Sequence, residues 1–238
     1  MRRWVVSVCA VIFAWGFPAA TPALAQQAVT FYIGGFTPRA LDARPNDDVL
    51  VQNGYFLSTF DQIRGIDIDE FNAVTIGGEW LVGLGRYAEA GLGLGFYQQS
   101  VPTLYTDLVN IDGTEIVQTL KLRIVPFDAT IRFLPLGSNS PVQPYIGGGV
   151  GVDYWRYSET GQFVDFQNNI FAGNFVGSGW EVGPTILGGV RAPIGRVALG
   201  FEIRYQSAEG KLPADQGFAG TIIDRGGLNY LFVTSFRF

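Results

Sequence analysis

A chain of 238 residues with net charge −5 and only 16% charged residues is a poor partner for nucleic acid. That charge content, against a usual ~25%, suits either a soluble domain or a membrane barrel. There is no histidine, and the one cysteine is Cys9, so Ser-His, Cys-His and His-metal chemistry are excluded along with disulfides in the mature chain.

The N-terminus reads as an export signal. Arg2 and Arg3 precede an apolar stretch from Trp4 to Phe17, too short to span a bilayer, and Ala23-Leu24-Ala25 offers a small-x-small cleavage site. Residues 1–25 are the expected signal peptide and 26–238 one barrel domain. Loss of Arg2 and Arg3 moves the net charge from −5 to −7. Pro18 and Pro22 argue against an uncleaved anchor, and the mature part has no run of ~20 apolar residues for a membrane helix.

Eight strand-like runs follow: residues 29–35, 73–84, 87–99, 115–135, 142–157, 179–192, 196–206 and 226–238. Their connections alternate. Gly85-Arg86, the LGSNSP segment and the PIG segment read as tight hairpin turns. The intervening links, roughly 36–72, 100–114, 158–178 and 207–222, are long. Short turns at one end and long loops at the other suit an all-β fold, an eight-stranded antiparallel transmembrane β-barrel with periplasmic turns and extracellular loops. An even count lets the last strand pair with the first and leaves no free edge.

Period two divides each run into two faces. One face is apolar, as in Val197, Leu199, Phe201, Ile203 and Tyr205, and a charge there would cost ~2–4 kcal/mol at mid-bilayer. The other alternates glycine with charge. It carries the acids Glu79, Glu89, Asp128, Asp153, Glu181 and Glu202 and the bases Lys121, Arg123, Arg132, Arg191, Arg204 and Arg237. This balanced set is expected to form a structural ion-pair network in the lumen, because buried charge without a partner is costly. The 115–135 run changes phase, and a bulge is expected at Val125-Pro126, since proline donates nothing to a ladder. Trp80, Trp155, Trp180, Tyr145, Tyr154, Tyr205 and Phe238 stand near run ends, where interfacial girdles belong. A secreted soluble sandwich or lipocalin-like barrel would reverse the two faces. A solvent face alternating glycine with charge makes that alternative poor.

The segment from Pro126 to Tyr154 (PFDATIRFLP…QPYIGGGVGVDY), the VGPTILGGV and FEIRY pieces and the terminal FRF resemble the small outer-membrane barrels of the OmpW, OmpX and OmpA-barrel type, most of all the OmpW-like branch. The resemblance is architectural. It implies the outer membrane of a Gram-negative-type bacterium, surrounded by outer-membrane lipid and lipopolysaccharide. It also implies a C-terminal signature, Tyr230, Phe232, Phe236 and Phe238, for the barrel-assembly machinery.

Chemistry finds little purchase. A carboxylate pair such as Glu79 and Glu89 is the one remaining catalytic option, and paired structural charge is the better reading. Gly147 to Gly151 lacks the GK[ST] ending and following helix of a phosphate loop, so these glycines make room in the lumen. The acidic first loop includes Asp67 to Glu70, which lacks the glycine and distal glutamate of a calcium hand. No metal, cofactor or catalytic residue is expected. The leading expectation is a non-enzymatic envelope protein with a structural or surface-interaction role. The alternative is an OmpW-like narrow channel for small hydrophobic molecules, with Leu81, Tyr97 and the first-loop aromatics Tyr55, Phe56 and Phe60 lining an outer cavity.

Overall fold

The computed structural model describes residues 26–60, 64–165 and 167–238; the expected signal peptide lies outside them. Eight antiparallel strands form the wall: β1 (Gln27–Pro38), β2 (Ala73–Gly83), β3 (Ala88–Val109), β4 (Glu115–Phe133), β5 (Gln143–Val164), β6 (Ile170–Ile194), β7 (Val197–Gln206) and β8 (Gly227–Arg237). Each pairs with its sequence neighbours, and β8 returns to β1 with Arg237 opposite Ala28. The ring is therefore closed where all eight strands are present, and no edge is open there. Gly85, Gly137 and Gly195 adopt positive φ in the three tight links at one end, where a side chain would strain the turn.

A belt around the lower wall is apolar and outward. Phe31, Ile33, Val74, Ile76, Leu92, Leu94, Ile131, Ile146, Val182 and Phe232 are all exposed, Phe232 to 69%. No water-soluble fold leaves so continuous a greasy surface uncovered. It is the lipid face of a transmembrane barrel. Phe127, Trp180 and Tyr154 stack at its upper rim, with ring centroids 5.9 and 5.1 Å apart. Trp155 and Tyr145, expected in the girdle, instead point inward and are buried. Their sequence neighbours Tyr154 and Ile146 hold the outer positions, as the two-residue period requires.

The wall is uneven. Strands β1, β2, β7 and β8 have 12, 11, 10 and 11 residues, about what a tilted membrane strand needs. Strands β3 to β6 have 22, 19, 22 and 25. Two of the four expected long loops are thus mostly strand: residues 110–114 close the β3–β4 hairpin, and β5 runs up to Val164 before β6 begins at Ile170. The extra height is hidden in the sequence because the face code inverts above the rim. Outside the membrane the inward row becomes apolar and the outward row polar.

Strand β4 shows the inversion. Its register with β5 runs unbroken from Gln118–Gly161 to Phe133–Ile146, so the expected bulge at Val125-Pro126 is absent. Even-numbered residues point inward throughout: Asp128, Thr130 and Arg132 within the belt, Leu120, Leu122 and Ile124 above it. What changes phase is the surrounding solvent, not the strand. Lys121 and Arg123, expected in the lumen, consequently face outward above the lipid belt.

Candidate functional site

The interior has four stacked parts. The lowest two are polar and charged. Arg191 pairs with Glu89, and its Nε donates to Gln143 Oε1 at 3.0 Å. Arg237 reaches the same oxygen at 2.6 Å. At mid-membrane Arg132 pairs with Glu79 and, at 2.9 Å, with Glu202. Arg204 donates to Glu202 at 2.8 Å and Asp128 at 2.9 Å. Thr130 donates to Glu79, Thr185 to Asp128 and the Tyr145 hydroxyl to Glu202. The guanidiniums of Arg132 and Arg204 also lie over the Tyr145 and Tyr32 rings. A desolvated set of this density is tolerable because nearly every charge has two or more partners.

Glycines make the room. A Cβ on Gly91 would come within 2.3 Å of a Glu79 oxygen, and one on Gly151 within 2.8 Å of Asp128. Gly149 would meet the carbonyl of Ala129 at 1.9 Å. The stretch from Gly147 to Gly151 is strand, opposite β4.

Of the sequence-predicted set, Glu79, Asp128, Arg132, Glu202 and Arg204 come together in one network. Glu89 and Arg191 form the lower pair, beside Arg237. Glu79 and Glu89 are claimed by different arginines and form no carboxylate pair. Asp153 is bridged at 3.3 Å by Arg225, a loop residue that carries no periodic signal. Glu181 sits half-buried on the inward row, with no ion pair among the described residues. Lys121 and Arg123 stand outside, Arg123 directly opposite Arg156. Tyr230, Phe232 and Phe236 project outward from β8, and Phe238 just beyond its end is exposed.

Above the charges lies an apolar plug. The segment between β1 and β2 folds into the mouth as a short helix, α1 (Val49–Asn53), capped by Asp48, whose carboxylate accepts from the Leu50 and Val51 amides. Val49, Leu50, Phe71, Tyr97, Val101, Leu120, Leu122, Trp155, Tyr157 and Ile223 pack together there. Tyr97 donates to the Phe71 carbonyl at 2.5 Å. Polar clips tie this plug to the loop before β8. Arg39 pairs with Asp224 at 2.7 Å, Arg44 with Asp48 at 3.2 Å, and the Asp224 amide donates to Asp48 at 2.5 Å. Burial pushes the Asp48 carboxyl above its ordinary range despite Arg44 and three backbone donors. In the acidic segment Asp67 caps a short 3-10 helix, Ile68–Phe71, by accepting from the Asp69 amide. Among the described residues no metal-ligating cluster forms.

The uppermost part is a cleft of about 630 Å³ between the tall hairpins, the plug and residues 217–219. Phe56, Phe163, Phe171, Phe175 and Phe218 line it, with Gln118, Glu159 and Asn53. Glu159 Oε1 accepts from Asn53 at 2.6 Å and Tyr157 at 2.8 Å. Burial pushes its carboxyl, well above the lipid belt, upward from the usual range. Of the residues expected to line an outer cavity, Phe56 does so. Tyr97 lies deeper, in the plug, and Leu81 is buried near the opposite end of β2, where the odd-numbered inward row runs toward the short turns.

No family model and no curated protein matches the chain. Solved structures similar to it include Neisserial surface protein A, 12% identical over 90% of this chain and 97% of that one, with a TM-score of 0.47. Ail, the attachment invasion locus protein of Yersinia pestis, in complex with the heparin analogue sucrose octasulfate, is 10% identical over 90% and 99%, TM-score 0.41. The N-terminal β-barrel domain of Pseudomonas aeruginosa OprF is 10% identical over 89% and 97%, TM-score 0.37.

Proposed function

We propose that this protein is a non-enzymatic barrel of the bacterial outer membrane, acting in envelope structure and in surface interaction through its tall hairpins. The supporting observation is the filled interior. From the Arg191–Glu89 pair through the Arg132–Arg204 network to the plug around Leu50 and Tyr157, each level is occupied by packed or paired side chains. The charged network serves structure: it pairs the lumen's buried charges and holds the strands in register. The leader of residues 1–25 directs export, and the outward aromatics of β8 are read by the assembly machinery. Such a barrel displays a surface and does not conduct. Reconstituted in a planar bilayer, it is expected to be electrically silent. Steady single-channel currents from the wild-type protein would contradict this and favour the narrow-channel reading.

A further inference from the structure

The upper cleft has a chemistry the barrel does not need. Its wall carries five phenylalanines; its carboxylates are Glu159 and Asp165, the Gln118 amide lies beside them, and no lysine or arginine is among the lining residues. The Asp165 carboxylate is used by its own turn, accepting from the Gln167 and Asn169 amides at 2.8 Å each. The other two acceptors have spare capacity. Gln118 is 2% exposed, yet its Oε1 has no hydrogen-bond partner among the described residues. Glu159 is also buried, and its second oxygen, Oε2, receives no hydrogen bond among the described residues. A buried amide oxygen without a donor costs ~1–3 kcal/mol, and a buried carboxylate without a cation costs more. Glu159 Oε1 ties α1 to β5, but the fold makes no use of its Oε2 or of Gln118 Oε1 among the described residues.

The geometry points to a binding site for a small organic ammonium: a protonated primary amine on an apolar or aromatic body. The ammonium offers three N–H donors and a positive charge, to which the Glu159 carboxylate and the Gln118 amide, both lining the cleft, are complementary. The phenylalanine faces then hold the body and add cation–π attraction. An anion would meet two carboxylates and no cation. A neutral apolar molecule would leave both acceptors unpaired.

This assignment deepens the surface role proposed above and rests on the tall hairpins facing outward. The full mature chain, folded in nanodiscs of zwitterionic lipid, is titrated calorimetrically with 2-phenylethylamine and with neutral 2-phenylethanol, against empty nanodiscs. We expect saturable amine binding, at least tenfold weaker binding of the alcohol, and a loss of about tenfold or more in Glu159→Gln, the size of one charge-assisted hydrogen bond. Gln118→Leu should weaken the amine severalfold and leave the alcohol unchanged. Heat-modifiability on gels confirms that each variant is folded. Absence of saturable amine binding by the folded wild type overturns the assignment, as does equal affinity for amine and alcohol or an unaffected Glu159→Gln. The outward orientation is tested separately: Ile111→Cys, at the tip of the β3–β4 hairpin, should react in intact cells with a membrane-impermeant maleimide. If that cysteine is protected, the surface reading fails whatever the titration shows.

Discussion

At the scale of single residues, the lumen is an exchange of solvent for partners. Glu79, Asp128 and Glu202 share Arg132 and Arg204, so two cations serve three anions. Arg204 touches all three and is the keystone. Arg204→Met should lower barrel stability by about 3–5 kcal/mol, read as a shift in the urea unfolding curve of the refolded protein, because it strands buried carboxylates. The exposed Arg156→Met should change it by less than about 0.5 kcal/mol. Comparable curves for both variants would mean that the network carries no energy of its own. These lumen charges were legible in the sequence because they fall on one parity of each run, opposite an apolar row. Arg39, Arg44 and Arg225 were not. They lie in loops without periodicity; Asp48 is four residues from Arg44, but Asp224 and Asp153 come near Arg39 and Arg225 only in the folded mouth.

At the scale of elements, the strands inside the membrane were readable and their upward extensions were not. Within the belt the outer row must be apolar, so Leu92, Leu94 and Phe96 stand out against glycine. Above it the rows exchange character: Val101, Leu120 and Tyr157 turn inward, while Gln98, Ser100 and Lys121 turn to water. A sequence reading that holds one face code along the run sees a break and places a bulge or a loop there. The plug is a second element that period two does not reveal, because it is a short helix and turns wedged against the tall wall. Asp48 anchors it. Its folded carboxyl titrates above the unfolded value, so the folded mouth binds that proton more tightly. The contribution is most favourable below the ordinary carboxylate range and is lost as pH rises through the raised value. Asp48→Asn keeps an N-cap acceptor and cannot ionise. In urea unfolding, the stability of wild type relative to this variant should therefore fall from mildly acidic to neutral pH; a difference that rises with pH would show that Arg44 outweighs burial.

At the scale of the whole molecule, one closed ring serves two solvents. Its lower half is an inside-out protein, with polar packing within and hydrocarbon without; its upper half is built like an ordinary soluble domain, apolar within and polar without. The short strands β1, β2, β7 and β8 leave room on one side, and the segments joining them fold across to fill the mouth against β3 to β6. The closed eight-strand architecture was legible from the count, the turn chemistry and the terminal strand. The site at the top was not, since Gln118, Glu159 and Phe218 belong to three distant segments.

The exchange of solvent along a single outward row is most directly measured with nitroxide spin labels on β3 in a lipid bilayer. We expect labels at Leu92 and Leu94 to be relaxed by oxygen and shielded from a water-soluble nickel chelate, and labels at Gln98 and Ser100 to show the reverse. Labels at all four sites relaxed alike by the water-soluble reagent would contradict the barrel's placement in the membrane.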